Sequence, residues 1–232
     1  MTDYRERTGK VIGKDALEIL RKSSVIVFGV GGVGGYVVES LARCGIGRIG
    51  IVDFDDISLT NINRQIIATN SSVGMKKVDE FEARILDINP DAIVEKYPIK
   101  YSEETAGEID LKSYDYVVDA IDDVAAKLLL IKNSHALGIK IISSMGMGNK
   151  LDPSKIEITK ISKTSMDPLA RKMRRLLKEE KIDIDVCYSK EEPKNLCDDK
   201  RTPGSTPFVP PAAGLFIGSK IVRELIWIYW KD

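Results

Sequence analysis

The chain is poor in the residues that build metal and disulfide frameworks. Its 232 residues include three cysteines, none of them in a CxxC pair, and one histidine. A structural zinc site or a disulfide scaffold needs more ligands or paired thiols, so the sequence excludes both as a basis for folding. No secretion signal is recognisable, and we therefore expect a protein of the reducing cytoplasm.

The three thiols lie in different settings. Cys44 ends an apolar helical segment and Cys187 lies in the apolar run 184–188, so both are expected to pack in the interior. Cys197 lies in a polar stretch between Lys194 and Lys200, and nearby cations lower the pKa of a thiol. The sequence leaves an incidental loop thiol and a functional thiol open for this position.

Neither sign of charge is in excess. Lys and Arg number 35, Asp and Glu number 35, and the formal net charge is zero. Without a global positive field, any contact with nucleic acid has to come from a local basic patch.

A long uninterrupted apolar run is also missing. Residues 212–230 are the most apolar stretch, but Lys220 and the pair Arg223-Glu224 interrupt it, whereas a membrane span needs about 20 consecutive apolar residues. We expect an amphipathic helix packed within the protein or a dimer. The alternative is peripheral membrane association through the aromatic residues near its end, which are Trp227, Tyr229 and Trp230.

A glycine-rich turn follows the first apolar strand. Residues 25–28 read as a buried parallel strand, and Gly29, Gly31, Gly32 and Gly34 then open a helix. Glycines at this spacing permit a tight turn and close backbone approach to phosphate at a helix N-terminus. The next strand ends at Asp53, whose carboxylate can bind ribose hydroxyls. NAD and ATP fit this much of the pattern equally well.

The residues after Asp53 favour a nucleotide that is cleaved. They are Asp55, Asn61, Arg64, Gln65 and Lys77. An enzyme that cleaves ATP must neutralise charge that develops on a departing phosphate, and fixed cations serve that task. A further strand, 116–119, leads to Asp122 at the carboxyl edge of the predicted sheet, where a carboxylate can hold magnesium.

The whole pattern predicts an α/β fold. Strands and helices alternate through segments 76–89, 92–97, 103–109, 116–119, 124–138 and 139–144. We expect a doubly wound, Rossmann-like, mostly parallel sheet with an appended C-terminal substrate-side lobe. A single domain, 1–232, would comprise a helical arm (1–23), a nucleotide-binding core (24–145), and the lobe with the C-terminal helix (146–232).

The ordered set from the glycine loop to Asp122 resembles the adenylating domain of the ubiquitin-activating-enzyme-like superfamily, to which the ThiF, MoeB and HesA proteins belong. The resemblance implies that Asp53 binds the ribose, that Asn61, Arg64 and Lys77 bind phosphates, and that Asp122 binds magnesium. It also implies a homodimer in which an arginine, Arg7 in preference to Arg5, reaches the neighbour's ATP site. Asp123 stands where many members carry Asn.

Three further segments resemble the branch of the superfamily that dehydrates threonylcarbamoyladenosine in tRNA. They are residues 5–8, 163–171 and 203–210. The resemblance implies that a threonyl carboxylate is adenylated with ATP and that a neighbouring ureido group closes a ring, releasing AMP. Because that nucleophile is intramolecular, no enzyme nucleophile is required. Two alternatives remain: adenylation of a ubiquitin-like sulphur carrier, and nucleotide binding or dehydrogenation without adenylation.

A basic helix is the candidate tRNA surface. Residues 167–181 place leucines and Met173 on one side and a set of cations on the other: Arg171, Lys172, Arg174, Arg175 and Lys178. On charge alone this pattern also fits an ordinary solvated helix face. A monovalent ion near residues 146–148 and a sulphur or redox accessory protein stay open.

Overall fold

The computed structural model describes residues 3–194, 196 and 203–227. The helices are α1 (Glu6–Ile12), α2 (Lys14–Lys22), α3 (Gly34–Cys44), α4 (Lys77–Ile88), α5 (Val124–Ala136), α6 (Pro168–Glu179) and α7 (Val209–Ile226). The strands are β1 (Ser24–Phe28), β2 (Arg48–Val52), β3 (Ile93–Tyr97), β4 (Tyr116–Asp119), β5 (Lys140–Ser144), β6 (Ile156–Lys160) and β7 (Asp185–Ser189).

The strands form one seven-stranded sheet in the order β3-β2-β1-β4-β5-β7-β6. All neighbours are parallel except β6 and β7, which are antiparallel. Phe28 lies opposite both Val52 and Asp119, so the carboxyl ends of β1, β2 and β4 meet at one edge. The chain order reverses between β1 and β4, which is where ligands bind in such sheets. The predicted doubly wound α/β fold is confirmed.

Helices cover both faces of the sheet. Side chains alternate between the two faces along each strand, so they pack into two separate hydrophobic cores. Val25 and Val27 join a core that contains residues of α3, α4 and α7, whereas Ile26 and Phe28 join a core with residues of α5 and α6. Every residue of β1 and β4 is buried, as expected for central parallel strands.

The C-terminal region contributes to this same sheet. Its strands β6 and β7 extend the sheet beyond β5, and α7 packs on α3. The two helices approach closely because α7 carries glycine at the contact: a Cβ on Gly218 would lie 2.0 Å from Ser40 Oγ. No helix within residues 3–194, 196 and 203–227 is long and apolar enough to cross a membrane. Of the three aromatic residues near the end of the last helix, Trp227 is half-exposed and is the last described residue. Tyr229 and Trp230 lie outside the described residues.

One local expectation was wrong. Residues 103–109 were expected to form a helix, but only a 3-10 turn, Ala106–Glu108, is present. The Thr105 hydroxyl donates to Lys100 O at 2.6 Å and accepts from Ser102 N at 3.0 Å, so side-chain bonds replace a helical ladder. The run 184–188 packs in the core as expected, and most of it forms β7, a strand that the sequence had not predicted.

Candidate active site

A cavity of about 770 Å³ opens at the carboxyl edge of the sheet. It brings together residues that are far apart in the sequence: Gly29, Gly31, Gly32, Asp53, Asp55, Asn61, Arg64, Gln65, Lys77 and Asp122. The cavity is thus lined by the residues that the sequence predicted for the nucleotide site, except for Gly34 and Arg7, which do not line it. Its other wall comes from residues 144–149, the start of α6 and residues 203–205.

The glycine loop is held close to the end of β4. Gly29 has φ of 81°, and a Cβ there would lie 2.7 Å from Ala120 O. A Cβ on Gly34 would lie 1.9 Å from Gly29 O, so Gly34 is needed to close the turn and not to line the cavity. Gly31 and Gly32 therefore add no side chain of their own between the loop backbone and a ligand, and the side chains of Gln65 and Arg64 lie beside them.

A buried charge cluster stands at the end of β2. Asp53 is 8% exposed, and its Oδ2 accepts the Val30 amide at 2.9 Å. Lys77, at the start of α4, is also buried and places Nζ 2.7 Å from Asp55 Oδ2 and 3.4 Å from Asp53 Oδ1. The glycine loop and Lys77 are thus both fixed to one carboxylate, and Lys77 lines the cavity.

Arg64 and Gln65 follow the 3-10 turn Leu59–Asn61 and lie against the glycine loop. The Arg64 side chain crosses Gly32, where a Cβ would lie 3.2 Å from Arg64 Cδ, and its Nη1 donates to Asn63 Oδ1 at 3.0 Å. Gln65 is 6% exposed, and its Oε1 has no partner among the described residues. An unpaired buried acceptor is costly, so this oxygen marks a position for a ligand donor.

Asp122 and Asp123 have different settings. Both are exposed at the cavity, but Asp123 also caps α5 by accepting the Ala126 amide at 2.9 Å. That bond to the ionised form holds the pKa of Asp123 below its usual value, with smaller contributions from the charges of Lys100 and Lys172. Asp and Asn cap helices equally well, so the Asp at this position keeps the local structure.

Two buried lysines were missed by sequence reasoning. Lys127 donates to Asp119 Oδ2 at 2.8 Å, with both side chains fully buried beneath the cavity edge. Lys150 makes a similar pair with Asp167 at 2.8 Å. A single lysine in the apolar stretch 124–131 was the available signal for Lys127. Lys150 follows a glycine-rich loop and gave no comparable signal.

Residues 203–205 border the cavity and connect its two sides. Gly204 N donates to Asn149 Oδ1 at 2.6 Å, and Gly204 O accepts from Asn149 N at 2.8 Å. Asn63 Nδ2 donates to Ser205 O at 3.0 Å. Two of the three segments that carried the branch resemblance, 163–171 and 203–210, therefore contribute residues to this cavity.

Helix α6 runs outward from the cavity with a charged outer face. Pro168 and Leu169 line the cavity, while Met173 and Leu177 are fully buried. The exposed cations are Arg171, Lys172, Arg175 and Lys178. Arg174 differs from them, since it is partly buried and its Nη1 donates to Thr164 O at 2.6 Å and to Thr164 Oγ1 at 2.7 Å. One nitrogen of its guanidinium, Nη1, is thus bonded within the chain.

The N-terminal arm keeps its arginines away from this chain's own cavity. Arg5 forms two hydrogen bonds of 3.0 Å with the Asp3 carboxylate. Arg7 is exposed on α1 and makes no ion pair with any described residue. Of the two candidates, Arg7 is the one whose guanidinium is not held by an ion pair within the described part of the chain.

Neither described cysteine lies at the cavity. Cys187 is fully buried in β7, as expected, and burial raises the pKa of its thiol to about 12. Cys44 packs at the end of α3, where burial also raises its pKa. Cys197 lies outside the described residues.

Comparison with known proteins agrees with this geometry. Residues 4–224 match the ThiF family. The tRNA threonylcarbamoyladenosine dehydratase of Bacillus subtilis (strain 168) is 42% identical over 95% of this chain and 93% of its own length. The crystal structure of the E. coli tRNA N6-threonylcarbamoyladenosine dehydratase, TcdA, in complex with AMP superposes with a TM-score of 0.91 at 32% identity, covering 98% of this chain and 97% of that one. Its complex with ATP gives a TM-score of 0.89 at 31% identity, with the same coverage of both chains. The chain belongs to the ThiF family.

Proposed function

We propose that this protein is an ATP-dependent dehydratase of threonylcarbamoyladenosine in tRNA, acting through an acyl-adenylate and releasing AMP and pyrophosphate. The observation that carries the proposal is the convergence on one cavity of the nucleotide-site residues and the two branch-specific segments. The names of the relatives and the AMP and ATP complexes of TcdA support the same reaction.

The cavity suits ATP on several physical grounds. Gly31 and Gly32 add no side chain of their own between the loop backbone and a phosphate. Asp53 Oδ1 accepts from Asp55 N and Lys77 Nζ, whereas Oδ2 accepts the Val30 amide alone and keeps one lone pair for a ribose hydroxyl. Arg64 and Lys77 supply fixed positive charge, with Asn61 and Asp55 beside them. Gln65 Oε1 offers an acceptor to a ligand donor.

Within this site the residues stabilise charge and do not attack the substrate. A carboxylate resists attack until its oxygen is converted into a good leaving group, which adenylation achieves. Arg64 and Lys77 would stabilise the charge that develops as pyrophosphate departs. Asp122 would hold a magnesium ion together with phosphate oxygens, and the ion would neutralise further charge there. The substrate's own ureido group then closes the ring, so no enzyme thiol is needed.

The exposed face of α6 is the proposed tRNA surface. Arg171, Lys172, Arg175 and Lys178 project from a helix whose first residues line the cavity. Phosphate contacts by these side chains would position the anticodon arm with its modified base at the cavity. Arg174, bonded to Thr164, would instead maintain the helix's position.

The proposal also includes the assembly and its setting. Arg7 has no ion-pair partner among the described residues and does not line its own chain's cavity, which supports its action in the neighbouring site of a homodimer. Because tRNA is the substrate, the reaction belongs in the cytoplasm.

Adenylation of a sulphur-carrier protein remains the alternative within the family. The same nucleotide residues would serve it, but the basic face of α6 beside the cavity favours tRNA. Exchange of radiolabelled pyrophosphate into ATP separates the two, because a carrier acyl-adenylate forms and reverts without releasing AMP. We expect exchange and AMP release only with tRNA that carries threonylcarbamoyladenosine, not with unmodified tRNA or a carrier protein. Pyrophosphate exchange with the carrier alone would refute the proposal.

A further inference from the structure

Lys150 lies buried beside the cavity in an enclosure of oxygen atoms. Its side chain is 1% exposed. Nζ donates to Gly146 O at 2.7 Å, to Asp167 Oδ2 at 2.8 Å and to Ser189 O at 3.2 Å. An ammonium group has three donors, so each of them has an acceptor. Carbonyl and carboxylate oxygens are also the ligands of dissociable hard cations, so the lysine head fills the kind of position that such an ion would occupy.

The three acceptors come from separate elements. Gly146 follows β5, Ser189 ends β7, and Asp167 precedes α6. Asp167 uses its other oxygen, Oδ1, to cap the Ala170 amide of α6 at 2.7 Å and to accept the Gly146 amide at 3.3 Å. One ammonium–carboxylate pair therefore joins a loop, a strand end and a helix start.

The joined segments are walls of the cavity. Gly146, Met147 and Gly148 form one side, and Pro168 and Leu169 of α6 lie next to them. The packing leaves no room for a side chain on the loop, because a Cβ on Gly146 would lie 2.6 Å from Asp167 Oδ2. A shift of the pair would thus displace both the loop and the helix that carries the proposed tRNA surface.

We infer that Lys150 is a positioning residue, a built-in cation that fixes the loop 146–148 and the start of α6 in place of a dissociable monovalent ion. The sequence left such an ion open for this region. A covalently attached ammonium cannot dissociate, so the geometry of this wall does not depend on the salt of the medium. The effect on turnover rests on the proposed function, whereas the effect on stability and nucleotide binding does not.

The test compares the protein with Lys150→Met in potassium, ammonium and choline chloride at equal ionic strength. Three quantities are measured: the melting temperature, ATP affinity by calorimetry, and AMP formation with threonylcarbamoylated tRNA. The unsubstituted protein should behave alike in all three salts. In choline the variant should melt earlier and lose about 10- to 100-fold in kcat with a smaller change in KM for ATP, since displaced site walls slow the chemical step. Potassium or ammonium, but not choline, should restore part of the loss.

Two results would overturn the inference. One is an unsubstituted protein whose melting temperature or kcat depends on potassium. The other is a Lys150→Met protein whose melting temperature and kcat in choline equal those of the unsubstituted protein. Lys190→Met is the matched control, because Lys190 is half-exposed and pairs with Glu157 away from the cavity. It should be unaffected by the choice of salt.

A second variant covers the case in which Lys150→Met fails to fold. Lys150→Met with Asp167→Asn leaves no uncompensated buried charge and should fold. It should show reduced kcat without rescue by potassium, because the carboxylate that would hold the ion is gone. Rescue in the double variant, or full kcat in choline, would contradict the inference. Folded protein that binds ATP and shows these salt effects, yet forms no AMP, would instead refute the proposed function alone.

Discussion

At the residue scale, the site depends on a few cations whose positions are set by burial and pairing. Lys77 is held by Asp53 and Asp55, so its ammonium needs no large reorganisation to meet a phosphate. Arg64 rests on Gly32 and hydrogen bonds to neighbouring side-chain and main-chain oxygens. Preorganised charge of this kind acts where negative charge develops during reaction.

We predict that Lys77→Met and Arg64→Ala each reduce AMP formation by on the order of 10²- to 10³-fold, because each removes a fixed donor from the departing phosphate. Arg223→Ala, an exposed change on α7, is the control and should retain full turnover. Single-turnover AMP formation measures the effect, and circular dichroism checks the fold. Unaffected turnover in the Arg64 variant would contradict the adenylation chemistry.

Asp123 provides a second prediction at this scale. Loss of its cap in Asp123→Ala should lower the free energy of unfolding by about 1 kcal/mol, whereas Asp123→Asn should keep most of it. Urea unfolding at neutral pH measures both. A larger loss in the Asn variant than in the Ala variant would show that the residue does more than cap α5.

The pH dependence of that cap has a definite sign. The pKa of Asp123 is lower in the folded protein than in the unfolded chain, so its contribution is present above the unfolded pKa. The contribution declines as the pH falls through the folded value. Asp123→Asn should therefore lose less stability between neutral and strongly acidic pH than the unsubstituted protein. If the two proteins lost the same free energy of unfolding between neutral and strongly acidic pH, the role of ionised Asp123 as the cap would be contradicted.

At the element scale, the ends of the parallel strands determine what meets at the cavity. Asp53 and Asp122 were predictable from the sequence, because residues that follow buried parallel strands share the carboxyl edge of the sheet. The strand β7 and the two buried lysines Lys127 and Lys150 could not be predicted from the sequence, because each depends on a partner that is distant in the sequence. Ser189, for example, is a partner of Lys150. The 3-10 turn in place of the helix at 103–109 likewise depends on local side-chain bonds that periodicity does not report.

Helix α6 should bind tRNA through its exposed face and not through Arg174. We predict that Arg171→Glu with Arg175→Glu weakens tRNA binding and leaves ATP affinity unchanged. The slope of log affinity against log salt should fall by about one for each phosphate that the variant no longer neutralises. Filter binding across a salt series measures this. Lys112→Glu, an exposed reversal before β4 at the opposite edge of the sheet, is the control. Equal tRNA affinity in the double variant would contradict the assignment of α6.

At the scale of the whole molecule, the role of Arg7 on α1 decides whether one protomer has a complete active site or needs a residue from a second copy. The sequence resemblance suggested a crossing arginine, and no ion pair with a described residue holds Arg7. A crossing cannot be deduced from one chain, because the interaction it requires is between two copies. Mixing variants tests it directly.

We predict that Arg7→Ala and Lys77→Ala are each inactive, and that mixing them restores about a quarter of the activity. Random exchange makes half the dimers mixed, and each mixed dimer carries one intact site if Arg7 acts in its neighbour. If Arg7 acts in its own chain, both sites of a mixed dimer are defective. Absence of restored AMP formation after subunit exchange, with mixed dimers verified by mass, would contradict action between subunits.

The most direct test of the central claim is mass analysis of nucleosides from tRNA. Threonylcarbamoylated tRNA is incubated with the purified protein and magnesium ATP, digested, and compared with a reaction that contains Lys77→Met. The account predicts a nucleoside lighter by one water, with AMP released in equal amount, and on the order of 10²- to 10³-fold slower formation of both with the variant. An unchanged nucleoside from a folded protein that binds ATP would contradict it.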